Sequence, residues 1–326
     1  MSDESGAGSA VPDSPGVRTP TTSVMLIDFS ELQINTEIGE GAYKTVYSGF
    51  WAGNPVAIVR INQGVNKLER EVLIMQRLSN HPNLVQLYGI SVSGNDTYLV
   101  MELLPYGALD AFLQKGGADN QLTGLEKLLV AQQICNGMSA VALEGVVHAD
   151  LAARNVLVFS TSPPVIKLAD FGLSKLALQY YGTVSGGIPV RWSSPEVMMK
   201  GKWSEKSDIW AYGVTLWEIY AKGTVPYGNR TGFDVQQLVC SGHRLPRPKG
   251  CPELVYQVML ATWHQNPSGR PSFRQLRKKL AELVTMVQNG EMETEFEDDG
   301  DEATFDWQVD DNKDKDKDEK EKEGSK

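Results

Sequence analysis

The stretch VVHADLAARNVLV, residues 146–158, is the most informative part of this sequence. Two apolar, strand-like runs flank a polar turn in which Asp150 precedes Asn155 by five residues. Such a turn can direct a carboxylate and an amide into one cleft. A second acidic turn, Asp170 within IKLADFGLSK (residues 166–175), follows another apolar run. A single Asp here would usually be only a turn former, but phased acidic turns in this order indicate a functional site.

A glycine-rich turn lies upstream, in IGEGAYKTVYSG at residues 38–49. Gly39 and Gly41 fall between two strand-like runs, where glycine lets the backbone turn tightly and bring N–H groups close to phosphate oxygens. Alone this signal is weak, because a strand turn with two glycines is usually a hairpin.

The order of the predicted elements indicates an α+β, bilobal protein. Strand-like runs occupy residues 29–98, interrupted by one helical pattern at residues 66–78, and helical patterns dominate from 109 to 287. We expect a disordered leader at 1–28, rich in Ser, Gly, Thr and Pro, then one domain at 29–288 and a charged tail at 289–326.

The net charge of −10 belongs to the tail. Residues 291–326 contain 17 acidic and 6 basic residues, so the rest of the chain is nearly neutral. A nearly neutral body argues against nucleic-acid binding, which needs a basic face. We interpret the tail as solvated disorder. A partner-binding or autoinhibitory segment is the alternative, because Phe296, Phe305 and Trp307 interrupt the charges.

Three cysteines in no paired or metal-like spacing argue against a disulfide framework or a zinc site. The N-terminus lacks the charged start and apolar core of a signal peptide. No run approaches the roughly 18 apolar residues that a membrane span requires. We therefore expect a protein without a membrane span, located in the cytoplasm or the nucleus.

From about residue 31 to 287 the chain resembles a eukaryotic protein kinase domain. The hallmarks follow in family order: the glycine turn, a VAI strand, a helical Glu, His-x-Asp with a downstream Asn, Asp-Phe-Gly, SSPE (193–196), SDIWAYGVTLWEI (207–219) and NPSGRPSF (266–273). The resemblance also gives Glu196 and Arg270 as an ion pair of the large lobe, and Asp208 as a brace for the catalytic loop.

The resemblance implies transfer of the γ-phosphoryl group of ATP to a protein hydroxyl, with Mg²⁺ as cofactor. Asp150 would orient the substrate hydroxyl and accept its proton. Asn155 and Asp170 would bind Mg²⁺, which prefers hard oxygen ligands. Glu71, on the small-lobe helix, would be the acidic partner of the ATP-binding lysine.

The resemblance also implies an ATP pocket formed by the glycine turn, the adenine-sandwiching residues and the hinge. The hinge is the short connector ELLPYGA, residues 102–108, between the two lobes. The gatekeeper is Met101, and Glu102 and Leu104 offer backbone groups to adenine. The predicted pocket residues are Gly39, Gly41, Val46, Ala57, Met101, Glu102, Leu104 and Leu157.

The chain departs from the family pattern at the ATP-binding lysine, because VAI is followed by Val59. Side chains alternate along a strand, so Arg60 should point away from the face that carries Ala57 and Val59. Lys44 stands where the third glycine of the turn belongs, and its long stem could reach the phosphates. This exchange resembles the with-no-lysine kinases. The alternative is that Lys44 is a solvent-facing residue of a degenerate kinase.

A second departure is Ala149, in place of the Arg of His-Arg-Asp. In the family that Arg pairs with a phosphorylated activation-loop residue and takes no part in the transfer. Its loss weakens the case for control by loop phosphorylation more than the case for catalysis.

The acceptor is predicted from two motifs near the substrate. DLAARN resembles tyrosine kinases, where Arg154 replaces the earlier lysine of serine/threonine kinases, and IPVRW (188–192) resembles their substrate-receiving segment. The with-no-lysine likeness favours serine/threonine instead. We favour tyrosine, with an unknown protein substrate. The alternative function is a pseudokinase that acts as a binding or allosteric module.

Overall fold

The computed structural model describes residues 24–41, 44–61, 65–78, 80–116, 121–176 and 188–294. Its first lobe is a five-stranded antiparallel sheet, in the order β1-β2-β3-β5-β4, with one helix, α1. The elements are β1 (Leu32–Gly41), β2 (Lys44–Trp51), β3 (Asn54–Ile61), α1 (Val65–Arg77), β4 (Leu87–Ser93) and β5 (Asp96–Glu102).

The two faces of this sheet bury different sets of side chains. On the outer face, Val56 and Ile58 of β3 pack with Val100 of β5. On the inner face, Val59 and Leu99 pack with Val72 of α1. The period of two along β3 therefore decides which residues face the helix and the cleft.

The sheet edge is covered by the segment just before β1. Ile27 donates its N–H to the carbonyl of Ile90 at 2.8 Å, and Ile90 donates back to Met25 at 2.9 Å. The side chain of Ile27 is buried in the outer-face cluster. Packed structure is thus present within the leader predicted for 1–28, because apolar residues there extend the sheet. Residues 1–23 lie outside the described residues.

The second lobe is mainly helical. Its elements are α2 (Leu109–Gln114), α3 (Gly124–Leu143), β6 (Val146–Val147), β7 (Val156–Thr161), β8 (Pro164–Leu168), β9 (Lys175–Leu176), α4 (Pro195–Lys200), α5 (Glu205–Tyr220), α6 (Gly232–Cys240), α7 (Glu253–Thr262) and α8 (Phe273–Gln288). Helix α5 is its centre, since every residue from Ser207 to Tyr220 is buried. The predicted α+β, bilobal architecture is confirmed.

The loop between α1 and β4 fastens the small lobe to the large one. The amide of Asn83 donates to the carbonyl of Ile166 at 3.1 Å and to the side chain of Gln133 at 3.1 Å. Two backbone bonds on β8 add to this, from Leu168 to Asn83 and from Val85 to Leu168, each 2.9 Å. One end of the sheet is thereby fixed relative to β8.

The chain after α8 turns back onto the large lobe. Glu291 donates to the carbonyl of Met286 at 2.8 Å, and the side chain of Met292 packs against the core. Packed structure therefore reaches residue 294, beyond the tail boundary predicted at 289. The acidic remainder, 295–326, lies outside the described residues, as does any contact it makes. Among the helices that are described, none has the length and hydrophobicity that a membrane crossing requires.

A buried ion pair joins the start of α4 to the segment before α8, as the resemblance implied. Arg270 donates to both carboxylate oxygens of Glu196, at 2.7 and 2.9 Å. Its guanidinium also donates to the carbonyl of Lys206 and stacks 4.9 Å from the ring of Trp210. Since the Arg270 side chain is fully buried, removing its partner would leave a charge without water or a counterion.

Glu196→Ala should therefore lower the free energy of unfolding by about 3 kcal/mol, because breaking one side of a buried pair is strongly destabilising. Urea denaturation measures the change. Glu282→Ala is the matched control, since Glu282 lies 3.6 Å from Lys279 and both side chains are half exposed. That pair should contribute less than about 1 kcal/mol. Equal effects of the two substitutions would contradict the assignment.

Candidate active site

The loop between β6 and β7, residues 148–155, is held by two buried carboxylates of α5. Asp208 accepts the backbone N–H groups of His148, at 2.8 Å, and Ala149, at 3.0 Å. Ten residues further along the same helix, Glu218 accepts the N–H of Ala153 at 3.0 Å. The loop has little regular structure of its own, so these bonds fix its path. The predicted bracing role of Asp208 is confirmed by these contacts.

Both carboxylates titrate far from their ordinary range because they are buried. Burial raises the pKa of Asp208 to about 7, against the opposing effect of the His148 and Ala149 N–H groups. Burial likewise raises the pKa of Glu218 to about 7, although the bonds from Trp192 and Ala153 lower it. Near neutral pH, proton binding at these groups is therefore linked to folding.

Asp150 lies in the fixed loop with its carboxylate bound from two sides. Asn155 donates its amide N–H groups to Asp150 Oδ2 at 2.9 Å and to the Asp150 carbonyl at 2.6 Å. Arg154 forms an ion pair with the other oxygen, Oδ1. The guanidinium of Arg154 also lies over the ring of Trp192, 4.3 Å from its centroid. The loop thus brings together Asp150 and Arg154, predicted as catalytic, and Asn155, predicted as a metal ligand.

Asp170 enters the same cleft from the turn after β8. Its backbone has φ of 62°, a left-handed conformation that is uncommon outside glycine. The preceding residue, Ala169, donates to the carbonyl of Asn155 at 2.9 Å, so the two predicted metal ligands are adjacent in the structure. Burial raises the pKa of the Asp170 carboxyl, but Lys44 outweighs it, and the pKa lies below its ordinary value.

Lys44 forms an ion pair with Asp170, with 2.7 Å between Nζ and Oδ1. Burial lowers the pKa of the Lys44 ammonium, but the carboxylates of Asp170, Glu71 and Asp150 outweigh it and the pKa lies above its ordinary value. The ammonium therefore stays charged among three acidic groups of the cleft. The Lys44 side chain, which is 29% exposed, thus faces the acidic groups of the cleft.

The strand register explains why Lys44 reaches the cleft. Lys44 pairs with Ile61, and Val46 pairs with Val59, so all four side chains share the inner face of the sheet. Directly paired residues of an antiparallel sheet lie on the same face. Arg60 is on the opposite face, 5.9 Å from the centre of the Tyr47 ring. The predicted outward orientation of Arg60 is confirmed.

Glu71 of α1 faces the same group of charges. Burial raises the pKa of the Glu71 carboxyl, the charge of Lys44 lowers it, and the pKa lies above its ordinary value. A methyl group placed on Gly172 would stand 3.1 Å from Asp170 Oδ1 and 3.7 Å from Glu71 Oε2. Both carboxylates therefore border this glycine, next to Lys44.

The predicted adenine-contacting residues fall along the inner face and the hinge. Ala57 of β3 pairs with Met101 of β5, two residues along from the Val46–Val59 pair. Gly39 and Gly41 of β1 pair with Val46 and Lys44 of β2, so both glycines lie beside this part of the sheet. Leu104 of the hinge is buried. On the large-lobe side, Leu157 forms an antiparallel β-bridge with Ala108.

The side chain of Glu102 has a contact that sequence reasoning did not predict. Its carboxylate forms an ion pair with Lys167 of β8 at 2.7 Å, with both side chains largely buried. The hinge is therefore tied to the large lobe. A lysine inside the apolar strand IKL was the available signal.

The residues predicted to bind Mg²⁺ fit that ion by their donor chemistry. Asn155 uses its amide nitrogen for Asp150, which leaves the amide oxygen as a ligand. Asp170 Oδ1 accepts from Lys44 and Gly172, which leaves Oδ2 for a cation. One carboxylate and one amide oxygen suit a hard ion that retains some of its water.

Sequence reasoning also missed Glu218 and the indole of Trp192. Trp192 Nε1 donates to Glu218 Oε2 at 2.8 Å. The signal was present, because a single acidic residue stands inside the apolar run VTLWEIY on α5. A buried carboxylate needs partners, and here they are backbone and side-chain N–H groups of the cleft.

A two-lobed fold with these acidic turns, a glycine turn and a lysine facing them defines the protein kinase class. The chain belongs to the protein tyrosine and serine/threonine kinase family, whose characteristic sequence pattern matches residues 32–280. The predicted family, that of the protein kinases, is confirmed.

The relatives are named tyrosine-protein kinases, which agrees with the predicted preference for tyrosine. Human tyrosine-protein kinase TXK is 38% identical over 264 residues, which cover 79% of this chain and 49% of TXK. Tyrosine-protein kinase SRK3 of Spongilla lacustris is 33% identical over 270 residues, 81% of this chain and 80% of SRK3. Human tyrosine-protein kinase FRK is 36% identical over 264 residues, 78% and 51%. The chain thus spans about half the length of TXK and FRK.

Asp208 gives the domain a specific pH dependence of stability. In the unfolded chain this carboxyl has its ordinary pKa of 3.8, whereas burial in the folded protein raises its pKa to about 7. The folded state binds more protons between these values, so the contribution of Asp208 to stability falls as the pH rises from about 4 to 7.

The difference in unfolding free energy between wild type and Asp208→Asn should fall by roughly 1 kcal/mol per pH unit at its steepest. Denaturation at several pH values measures it, and comparing slopes removes the constant effect of the substitution. A difference that does not change with pH would contradict the raised pKa.

Proposed function

We propose that this domain transfers the γ-phosphoryl group of ATP to tyrosine side chains of a protein substrate, with Lys44 as its phosphate-binding cation. The observation that carries the proposal is the 2.7 Å ion pair between Lys44 and Asp170. An ammonium beside the carboxylate predicted to hold Mg²⁺ lies where the phosphates of ATP would bind.

Three features support Lys44 in this role rather than Arg60. Lys44 lies on the cleft face of the sheet and interacts with the charges of Glu71 and Asp170, whereas Arg60 lies on the other face. Val59, at the usual lysine position, is a small apolar residue packed against Val72. The flexible four-carbon stem of a lysine can bring its ammonium to the position that a lysine of the neighbouring strand usually occupies.

The loop residues have separate roles in the proposed reaction. Asp150 orients the acceptor hydroxyl and takes its proton. Asn155 and Arg154 hold the Asp150 carboxylate from its two sides. Asn155 and Asp170 would bind Mg²⁺, which neutralises phosphate charge when bound. Catalysis here depends on positioning and electrostatics, because phosphoryl transfer needs no covalent intermediate with the protein.

A tyrosine acceptor is supported by the surroundings of Asp150. Arg154 forms an ion pair with Asp150 and stacks on Trp192, so DLAARN and IPVRW meet beside the catalytic carboxylate. The relatives named tyrosine-protein kinases support the same acceptor. The ATP pocket is proposed to consist of Gly39, Gly41, Val46, Ala57, Met101, Glu102, Leu104 and Leu157.

Lys44→Met should abolish most phosphoryl transfer, with kcat/KM lower by about 100-fold or more, because a cation is lost from the phosphate site. Autophosphorylation and peptide assays with Mg-ATP measure the loss, and phosphoamino-acid analysis identifies the acceptor. Arg60→Met is the matched control, since it removes a cation of the same sheet from the other face. Equal activity of wild type and Lys44→Met would overturn the lysine assignment.

Returning a lysine to the strand should rescue the lost cation. Val59 faces the same side as Lys44, so Val59→Lys in the Lys44→Met background should recover at least about tenfold in kcat/KM. Val59→Arg in the same background is a useful comparison. It should not rescue activity, because a planar guanidinium does not replace an ammonium. A double variant no more active than Lys44→Met would contradict the shared location.

The alternative is a pseudokinase, motivated by Val59 and Ala149. It predicts no transfer by the wild-type protein with Mg²⁺ or Mn²⁺, whether or not nucleotide raises the melting temperature. Measurable transfer to tyrosine that depends on Asp150 would exclude it.

A further inference from the structure

We propose that Glu218 is a positioning residue that locks the catalytic loop to the segment carrying Trp192, and so aligns Arg154 and Asp150 for the acceptor tyrosine. The inference rests on the proposed function, because the alignment matters only if transfer occurs. Glu218 itself lies on α5, below the loop, and acts through its neighbours.

A single oxygen atom of Glu218 makes both contacts. Oε2 accepts the backbone N–H of Ala153 at 3.0 Å and the indole N–H of Trp192 at 2.8 Å. Ala153 belongs to the loop between β6 and β7, and Trp192 to the segment before α4. Because both donors share one acceptor, the two segments cannot shift separately without breaking a bond.

These two contacts converge on Arg154. Ala153 is its neighbour in the chain, and the ring of Trp192 lies 4.3 Å under its guanidinium. Arg154 in turn forms an ion pair with Asp150 Oδ1. The contacts form a closed ring that runs from Glu218 through Trp192 to Arg154, and back through Ala153. A ring of this kind restrains Arg154 from both its backbone and its side chain.

The burial of Glu218 indicates that these contacts are specific. The side chain is only 3% exposed, on a helix whose neighbouring residues are apolar and buried. Burying a carboxyl group is unfavourable unless it is hydrogen-bonded. An apolar residue at this position would leave the Trp192 indole and Ala153 N–H groups without this acceptor.

Two substitutions at position 218 separate the hydrogen bonds from the charge. In Glu218→Gln one amide oxygen can accept both donors, so kcat/KM for a tyrosine peptide should stay within about threefold of wild type. In Glu218→Met both bonds are lost, and kcat/KM should fall by about tenfold or more, while the KM for ATP stays within about twofold.

Trp192→Phe tests the same closed set of contacts without disturbing α5. It removes the indole donor but keeps an aromatic ring under Arg154, so kcat/KM for the peptide should fall by about threefold to tenfold. Combining Trp192→Phe with Glu218→Met should lower kcat/KM little further, since both substitutions remove the same hydrogen bond between Trp192 and Glu218. Thr215→Val is the control for stability, because the Thr215 hydroxyl donates only within α5, to Ala211 at 2.9 Å. Thr215→Val should lower the melting temperature without changing kcat/KM for the peptide relative to the KM for ATP.

A readout that needs no activity separates this inference from the proposed function. With ¹⁵N-labelled tryptophan, hydrogen exchange at the Trp192 indole, assigned through Trp192→Phe, should be slow in wild type and Glu218→Gln and fast in Glu218→Met. If the wild-type protein transfers no phosphoryl group, that result counts against the proposed function. Indole exchange alone then tests the contacts of Glu218. Unchanged exchange in Glu218→Met, or full peptide activity in Trp192→Phe, would overturn the proposal.

Discussion

The proposed catalytic loop of this protein depends on two carboxylates buried in helix α5. The loop runs from His148 to Asn155 with little regular structure, and its backbone N–H groups are accepted by Asp208 near one end and by Glu218 near the other. Placing two carboxyl groups in a buried helix is unfavourable in itself. The benefit is a loop whose backbone is fixed to a buried helix of the large lobe, which holds Asp150, Arg154 and Asn155 in place.

A second constraint comes from the small-lobe sheet, where side-chain direction is decided by register. The cation of the cleft arrives from β2, beside the glycine turn, and β3 contributes only an apolar side chain at the corresponding place. Lys44 can do this because the residue paired with Ile61 lies on the same face as Val59. Under the proposed assignment, the position of the charge in space is preserved although its position in the sequence has changed. The same argument explains why Arg60, one residue from Val59, has no access to the cleft.

The order of the predicted elements indicated the two lobes, and alternation along β3 indicated the outward direction of Arg60. The ion pair of Glu196 with Arg270 came instead from the family resemblance. Alternation along β3 needs no knowledge of the rest of the fold. Contacts between distant segments were not predictable in this way. Glu218 binds Trp192 only because α5 lies beneath the segment before α4, and Glu102 meets Lys167 only because the hinge folds over β8. The packing of Ile27 and Met292, outside the predicted domain bounds of 29 and 288, was also not predictable, since it is tertiary.

The environment of Lys44 has a consequence for chemical probes of the cleft. Acylating and sulfonylating reagents attack the neutral amine, whereas the neighbouring carboxylates of Asp170 and Glu71 stabilise the ammonium form. A reagent aimed at the usual strand position would meet the isopropyl group of Val59 and find no nucleophile. One that does react must reach Lys44 on β2 and first displace Asp170 from the amine. Covalent ligands shaped for this route would therefore distinguish the protein from relatives whose reactive amine projects from β3.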